Sequence, residues 1–187
     1  MKGWGLLLLF SLALGCRSTP AGPYSPSPEA ERDTVRAQAL NREAADLLQE
    51  DPERAETLLR EALAADLFFG PAHNNLGVLY LAREELYEAA SEFEWARKLM
   101  PGHPDPRLNL AITLERAGKT DEAIQAYEAA LEVFPGYLPA IQGAARLVAR
   151  TGGEDPRLAG WLEEIVLRSA DGGWRSWAEG QRARRAE

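Results

Sequence analysis

GPAHNNLGVLYLAREELYEAASEFEWARKLMPGH (residues 70–103) and PDPRLNLAITLERAGKTDEAIQAYEAALEVFPGY (residues 104–137) are consecutive blocks of equal length that align without a gap. Leu76 falls on Leu110, Gly77 on Ala111, Tyr80 on Leu114, Ala89 on Ala123, Phe93 on Tyr127, Ala96 on Ala130 and Pro101 on Pro135. Residues of matching character therefore recur every 34 positions. Such a period marks a stacked array whose single unit is too small to bury its own apolar face.

The spacing inside a block predicts two helices. Leu76, Gly77 and Tyr80 fall at i, i+1 and i+4 on one helical face, and Ala89, Phe93 and Ala96 repeat the helical step in the second half. Large residues on one helix then meet small ones on its neighbour, which allows a close antiparallel pair. Pro101 and Pro135 stop the second helix, having no N–H to donate. Gly118-Lys119-Thr120 makes the turn, with Thr120 as expected N-cap and Asp121 and Glu122 in the first turn, where the helix dipole favours acids.

These blocks resemble tetratricopeptide repeats. The family pattern has an aromatic at the fourth place, then Leu, Gly, Tyr, Ala, Phe, Ala and Pro at set intervals. Residues 70–103 supply Leu76, Gly77, Tyr80, Ala89, Phe93, Ala96 and Pro101, and depart with His73 for the aromatic. The next block departs with Arg107, Ala111 and Leu114. The resemblance implies an all-α, right-handed solenoid of helical hairpins, with about three to four units and a C-terminal capping helix.

Working outward, residues 31–69 read as a degenerate first unit. A helix is expected over 31–49, with Leu40, Ala44, Leu47 and Leu48 on one face. Asp51 is the next N-cap, with Pro52 at the first helical position. Ala55, Leu59 and Ala62 repeat the Ala-Phe-Ala spacing, and the turn before them is expected to be about one residue short. Residues 138–170 read as a divergent unit. Ile141, Ala144, Ala145 and Val148 stay in phase, and Asp155-Pro156 is expected to open a helix with Trp161, Leu162, Ile165 and Val166 on its apolar face. Residues 171–187 form the capping helix, carrying Trp174, Trp177, Arg182, Arg184 and Arg185. Trp174 and Trp177 are read as packing on the preceding unit, with a docking patch as the alternative.

The N-terminus is not part of the solenoid. In residues 1–15, Lys2 precedes an apolar run, as in a secretory leader. Ala13-Leu14-Gly15-Cys16 resembles the bacterial lipobox, with Ala13 where Leu is usual. That resemblance implies cleavage before Cys16 and lipidation of its thiol, and two or three acyl chains anchor firmly. A plain signal that leaves a free thiol is the alternative. Cys16 is the sole cysteine, so no internal disulfide can form. Pro20, Pro23, Pro26 and Pro28 make residues 16–30 an extended tether reaching on the order of 40 Å. Arg17 rather than Asp follows the cysteine. By the sorting rule of some double-membrane bacteria this points to the outer membrane, facing the periplasm.

Chemistry is sparse. The two histidines, His73 and His103, sit at different places of one unit, and with Cys16 committed to lipid no Cys/His metal set can be assembled. There is no HExxH, CxxC, GxSxG, GxGxxG or P-loop. Neither an enzyme nor a cofactor is expected. A net charge of −8 offers no electrostatic attraction to nucleic acid.

Binding remains. In tetratricopeptide arrays the first helix of each unit lines a concave groove through set places. By position these are Asn74, Val78, Leu81 and Ala82, then Asp105, Leu108, Ile112, Glu115 and Arg116, then Gln142, Arg146, Ala149 and Arg150. The resemblance implies an apolar floor of Val78, Leu81, Leu108 and Ile112 for a peptide or partner helix, with Asn74 and Gln142 pairing its backbone. The family's Lys/Asn clamp for C-terminal carboxylates is absent. The expected function is a membrane-anchored scaffold of the bacterial envelope, binding a protein or peptide during assembly of a pilus, secretion or cell-wall complex. The alternative is a passive spacer or stabilising subunit whose repeats pack only on themselves. Oligomeric state is left open.

Overall fold

The computed structural model describes residues 32–152 and 155–186. Among them are nine α-helices and no strands: α1 (Thr34–Leu47), α2 (Pro52–Ala65), α3 (Gly70–Ala82), α4 (Leu86–Leu99), α5 (Asp105–Arg116), α6 (Thr120–Val133), α7 (Leu138–Thr151), α8 (Leu158–Arg168) and α9 (Gly172–Ala186). Cys16, the leader and the tether lie outside the described residues. The 34-residue phase is kept closely, since α2, α4 and α6 start at residues 52, 86 and 120 and end at 65, 99 and 133.

The turns keep phase too. Glu84, Gly118 and Gly152 hold φ of 60°, 74° and 68°, so one left-handed residue closes the first helix of three successive units. Glycine does this without strain in two of them, while Glu84 adopts it with a side chain. Glu50, the counterpart in the first unit, has no positive φ. That turn is residues 48–51, one residue longer than the three-residue turns at 83–85 and 117–119. The shortened turn expected there is thus corrected.

Four helix ends also differ from the sequence reading. α1 starts at Thr34, where the Asp33 side chain accepts from Arg36 N–H at 2.9 Å, and it ends at Leu47. Thr120 is the first helical residue of α6, and Lys119 holds the cap position without a side-chain bond. Asp51 caps α2 as expected, accepting from Arg54 N–H three residues on at 3.0 Å. Asp155 instead accepts from Arg157 N–H two residues on at 2.8 Å, which makes a turn, and α8 begins at Leu158.

The second helices α4 and α6 each bury one aromatic ring. Phe93 and Tyr127 are fully buried, with Ala89 and Ala96, and Ala123 and Ala130, beside them. Burying a ring of this size contributes roughly 1.5–3 kcal/mol. Tyr127 joins Ala111, Ala140, Ala144 and Leu147 in one cluster that spans α5, α6 and α7. Ile141, Ala145, Val148, Leu158, Leu162, Ile165 and Ala178 form the next, and Trp174 and Trp177 pack against it. The capping reading of these tryptophans is the one that the packing supports.

His73 takes the place of the family aromatic and is buried. Its ring stacks on Trp95 with centroids 5.8 Å apart, preserving the ring contact. The Leu67 carbonyl accepts from Nε2 at 2.9 Å, and Nδ1 shares a 2.6 Å hydrogen bond with the buried Glu92 carboxylate. Asp66, also buried, ties the start of α1 to the end of α2. It accepts from Arg32 at 2.9 and 3.1 Å, from Thr34 at 2.8 Å and from Phe68 N–H at 3.0 Å. Burial pushes its carboxyl up, but these donors win and hold it below the ordinary range.

First helices of neighbouring units touch, α1 with α3, α3 with α5 and α5 with α7, and no pair of second helices packs to that extent. The layer of first helices is therefore the tighter, inner one, and the array curves around it.

Glycines test this packing. A Cβ on Gly77 would lie 2.7 Å from the Phe93 ring, and one on Gly143 only 2.3 Å from Tyr127, while Gly160 in α8 has open space. Helix propensity alone favours alanine at all three positions. Gly160→Ala should stabilise by about 0.5–1 kcal/mol. Gly77→Ala and Gly143→Ala should destabilise by about 1–3 kcal/mol, Gly143 more. Thermal denaturation reads the signs, and stabilisation at either buried glycine would contradict the packing described here.

Candidate functional site: the inner helix layer

The inner face is built by α1, α3, α5 and α7, and α9 follows at its C-terminal end. Asn41, Asn75 and Asn109 recur at the 34-residue period on three of these helices. Asn75 donates to Asn41 Oδ1, and Asn109 to Asn74 Oδ1, each at 3.0 Å. These side-chain bonds set the spacing of α1, α3 and α5. The signal was present in the sequence as a recurring polar residue, where attention to large and small residues passes over it.

The predicted groove residues do share this face. Val78 and Leu81 on α3, and Leu108 and Ile112 on α5, are all half-buried, and the last two rest on the Tyr127 cluster. They offer edges rather than whole side chains. The Asn74 carbonyl is taken by Asn109, and its amide nitrogen has no partner among the described residues. Gln142 donates to Ser169 Oγ at 3.3 Å. Arg116 is drawn away to Glu84 at 2.7 Å and to the Leu81 carbonyl. Asp105 accepts from the Tyr137 hydroxyl. Burial, then that bond and the Asp105 charge, push the Tyr137 phenol up to about 12. Ala82 is exposed, and Ala149 is half-buried.

Glu115 is the hub of the far end. Tyr127 donates to its carboxylate at 3.0 Å, Arg146 at 2.9 Å, and Arg150 approaches to 3.5 Å. One carboxylate shared by two guanidiniums leaves net positive charge at this point of the face. Burial first, and Glu115 second, raise the Tyr127 phenol well above its ordinary range.

Charge separates by layer. α3 carries no Asp, Glu, Lys or Arg, and α7 carries Arg146 and Arg150 with no acid. α9 carries Arg175, Arg182, Arg184 and Arg185 against Glu179. On the outer layer, α6 carries Asp121, Glu122, Glu128 and Glu132 with no cation. The inner face thus runs from apolar at α3 to cationic at α7 and α9, on a chain of net charge −8.

Arg146, Asp171, Gly173, Trp174 and Trp177 line a cavity of about 280 Å³ at the cationic end. The two indoles meet edge to face, with centroids 5.4 Å apart. Among the described residues no cluster of His, Cys, Asp or Glu is placed to hold a metal ion. No helix among them is long and apolar enough to cross a membrane.

An all-helical hairpin solenoid with an inner face of this kind is a tetratricopeptide-repeat protein, a class typical of protein–protein interaction scaffolds. More narrowly, the protein kinase G tetratricopeptide repeat model matches residues 30–169, and the chain belongs to that family. No curated protein matches the chain. Among solved structures, MamA is 19% identical over 82% of each chain, with a TM-score of 0.59. The first tetratricopeptide domain of RPAP3 bound to an HSP90 peptide is 17% identical over 65% of this chain and 97% of its own, with a TM-score of 0.61. The O-GlcNAc transferase of Thermobaculum terrenum is 26% identical over 72% of this chain but only 27% of its own, with a TM-score of 0.64.

Removing the Glu115 carboxylate strands the buried Tyr127 hydroxyl. Glu115→Ala should therefore cost about 1–3 kcal/mol, the penalty of an unsatisfied buried polar group. Adding Tyr127→Phe should recover part of that loss. A double-mutant cycle by denaturant unfolding checks it, and strict additivity would mean that the pair does not couple.

Proposed function

We propose that this protein is an envelope scaffold, held to a membrane through lipidated Cys16, that binds an apolar segment of a partner protein on its inner helix layer. The observation that supports the binding surface best is α3, which has no Asp, Glu, Lys or Arg and whose Val78 and Leu81 lie beside Leu108 and Ile112 on one face. In an acidic chain with 27% Asp, Glu, Lys and Arg, an inner-layer helix with none of these is suited to an apolar partner face. Among similar structures, domains of RPAP3 are seen with HSP90 and HSP70 peptides, and peptide binding is carried to this chain as part of the proposal. The site comprises Asn74, Val78, Leu81, Leu108, Ile112, Glu115, Gln142 and Arg146. Glu115 serves it indirectly, by holding Arg146. The bacterial envelope, with the domain on the periplasmic side of an outer membrane, is proposed from the leader, Cys16 and Arg17 alone. Within that envelope, assembly of a pilus, secretion or cell-wall complex is the proposed setting.

A passive spacer is the second reading. It is favoured by the internal bonds of Asn74, Gln142 and Glu115 and by the half-burial of the apolar floor.

Two experiments separate these readings. Cys16→Ala should move the protein from the membrane to the soluble fraction and abolish acyl labelling; membrane retention without acylation would remove the anchor. Affinity capture from detergent-solubilised membranes should recover a partner with the native chain. The Val78→Glu, Leu108→Arg variant, shown folded by circular dichroism, should lose it. Equal recovery by both chains would move the contact off this face, and no partner would favour the spacer.

A further inference from the structure

We propose that the cavity between Arg146, Trp174 and Trp177 is a side-chain pocket that takes one bulky apolar residue of a peptide flanked by acidic residues. This deepens the reading of the inner layer as a peptide-binding face and rests on it.

Shape and chemistry define the occupant. Trp174 and Trp177 are half-buried, held from behind by the Ile141–Leu162 cluster, so their exposed surfaces form fixed apolar walls. The edge-to-face contact at 5.4 Å locks the two rings against each other. A volume of about 280 Å³ lies at the lower edge of the range for small-molecule sites and suits a single aromatic or large aliphatic side chain. The pocket is also the place where the inner face meets the capping helix. A peptide lying along Val78, Leu108 and Ile112 reaches it last.

Charge then selects the neighbours of that residue. Arg146 lines the cavity, with Arg150 four residues along α7 and, on α9, Arg175, which donates to the Ser169 carbonyl at 2.9 Å. Two acids stand nearby, and Asp171 itself lines the cavity. Glu115 is shared by two arginines and Tyr127, and Asp171 Oδ1 accepts from Gly173 N–H at 2.7 Å. Arg146, Arg150 and Arg175 against Glu115 and Asp171 leave one positive charge in excess at this end, so acidic flanks gain over basic ones. An anionic membrane surface shares the charge preference. A flat bilayer, though, makes little use of a shallow cavity sized for one side chain, and the outer-layer helix α6 carries four acids and no base.

The test uses the full-length Cys16→Ala chain with ¹⁵N-labelled indoles, whose five tryptophans give separable N–H signals in a nuclear magnetic resonance spectrum. The probe is the blocked peptide Gly-Glu-Glu-Phe-Glu-Glu-Gly. Its comparison peptides carry Lys for Glu, or Ala for Phe. Saturable shifts of the Trp174 and Trp177 signals are expected, with a dissociation constant on the order of 1 mM for so short a probe. Each comparison peptide should bind at least tenfold more weakly. Arg146→Gln should erase most of the preference for Glu over Lys while leaving the circular dichroism spectrum unchanged.

Shifts confined to Trp95 or Trp161, equal binding of the Lys peptide, or no shift at all would overturn the pocket. So would binding to phosphatidylglycerol vesicles without binding to the peptide, which would make this end a membrane surface. The probe is too short to reach Leu108. The Val78→Glu, Leu108→Arg chain should therefore bind it like the parent, and loss there would overturn the pocket as a separate site. If the probe fails while partner capture still depends on Val78 and Leu108, the pocket falls and the groove stands. If the probe binds while capture ignores those residues, the groove falls.

Discussion

The close approach of an aromatic ring to a helix backbone sets the geometry from which the rest of this array follows. A methyl group at residue 77 would sit 2.7 Å from the Phe93 ring, and one at residue 143 would sit 2.3 Å from Tyr127. The first contact closes a hairpin, between α3 and α4. The second closes the step between units, from α6 to α7. Packing of this density admits little continuous adjustment, so both angles are set together and the array holds its register. Second helices that begin and end in strict phase are a consequence. The asparagine bonds of α1, α3 and α5 fix the same spacing from the inner side. With the first helices in mutual contact, the surface that they share is the face proposed for a partner.

How much of this was readable depended on whether the determinant was local or periodic. Ala89, Phe93 and Ala96 announced both the helix and its buried face, because their spacing reports the packing directly. Asp51 was readable as a cap, since Pro52 follows it and Arg54 N–H stands at the right distance along the chain. Asp155-Pro156 presents the same dipeptide and forms a turn. There Arg157 binds both Asp155 and, at 2.5 Å, Glu128 on α6, a contact from another unit that no local pattern contains. The first turn gains a residue because Glu50 does not take the left-handed conformation of Glu84, Gly118 and Gly152.

Side-chain roles within the groove were less legible than its position. Family places brought Val78, Leu81, Leu108 and Ile112 to one face, as the helical repeat requires. Which polar residues would be spent internally could not be read, because each partner comes from a different helix. Glu115 is claimed by Tyr127 of α6 and two arginines of α7, and Gln142 by Ser169 beyond α8. His73 belongs to the same class. A histidine in an aromatic position looks like a departure from pattern until Trp95 and Glu92 of α4 are seen to receive it.

The capping helix has a double task in this arrangement. A solenoid end needs one helix that is apolar inward and charged outward, and α9 meets that need with Ala178, Trp174 and Trp177 against the last cluster and arginines outside. Cap chemistry alone would be satisfied by any solvated charge. In this chain the cap is strongly basic although the whole is acidic, and its tryptophans end the inner face beside Arg146. α3 without Asp, Glu, Lys or Arg, α5 with two acids and two arginines, the two arginines of α7 and the basic α9 follow in order along one layer, while the acids of α6 lie on the other. A chain that distributed charge only for solubility would have no reason to grade one layer in this way. On the proposed reading the gradient gives the inner face a direction, so that a segment with one acidic end takes a preferred orientation along it.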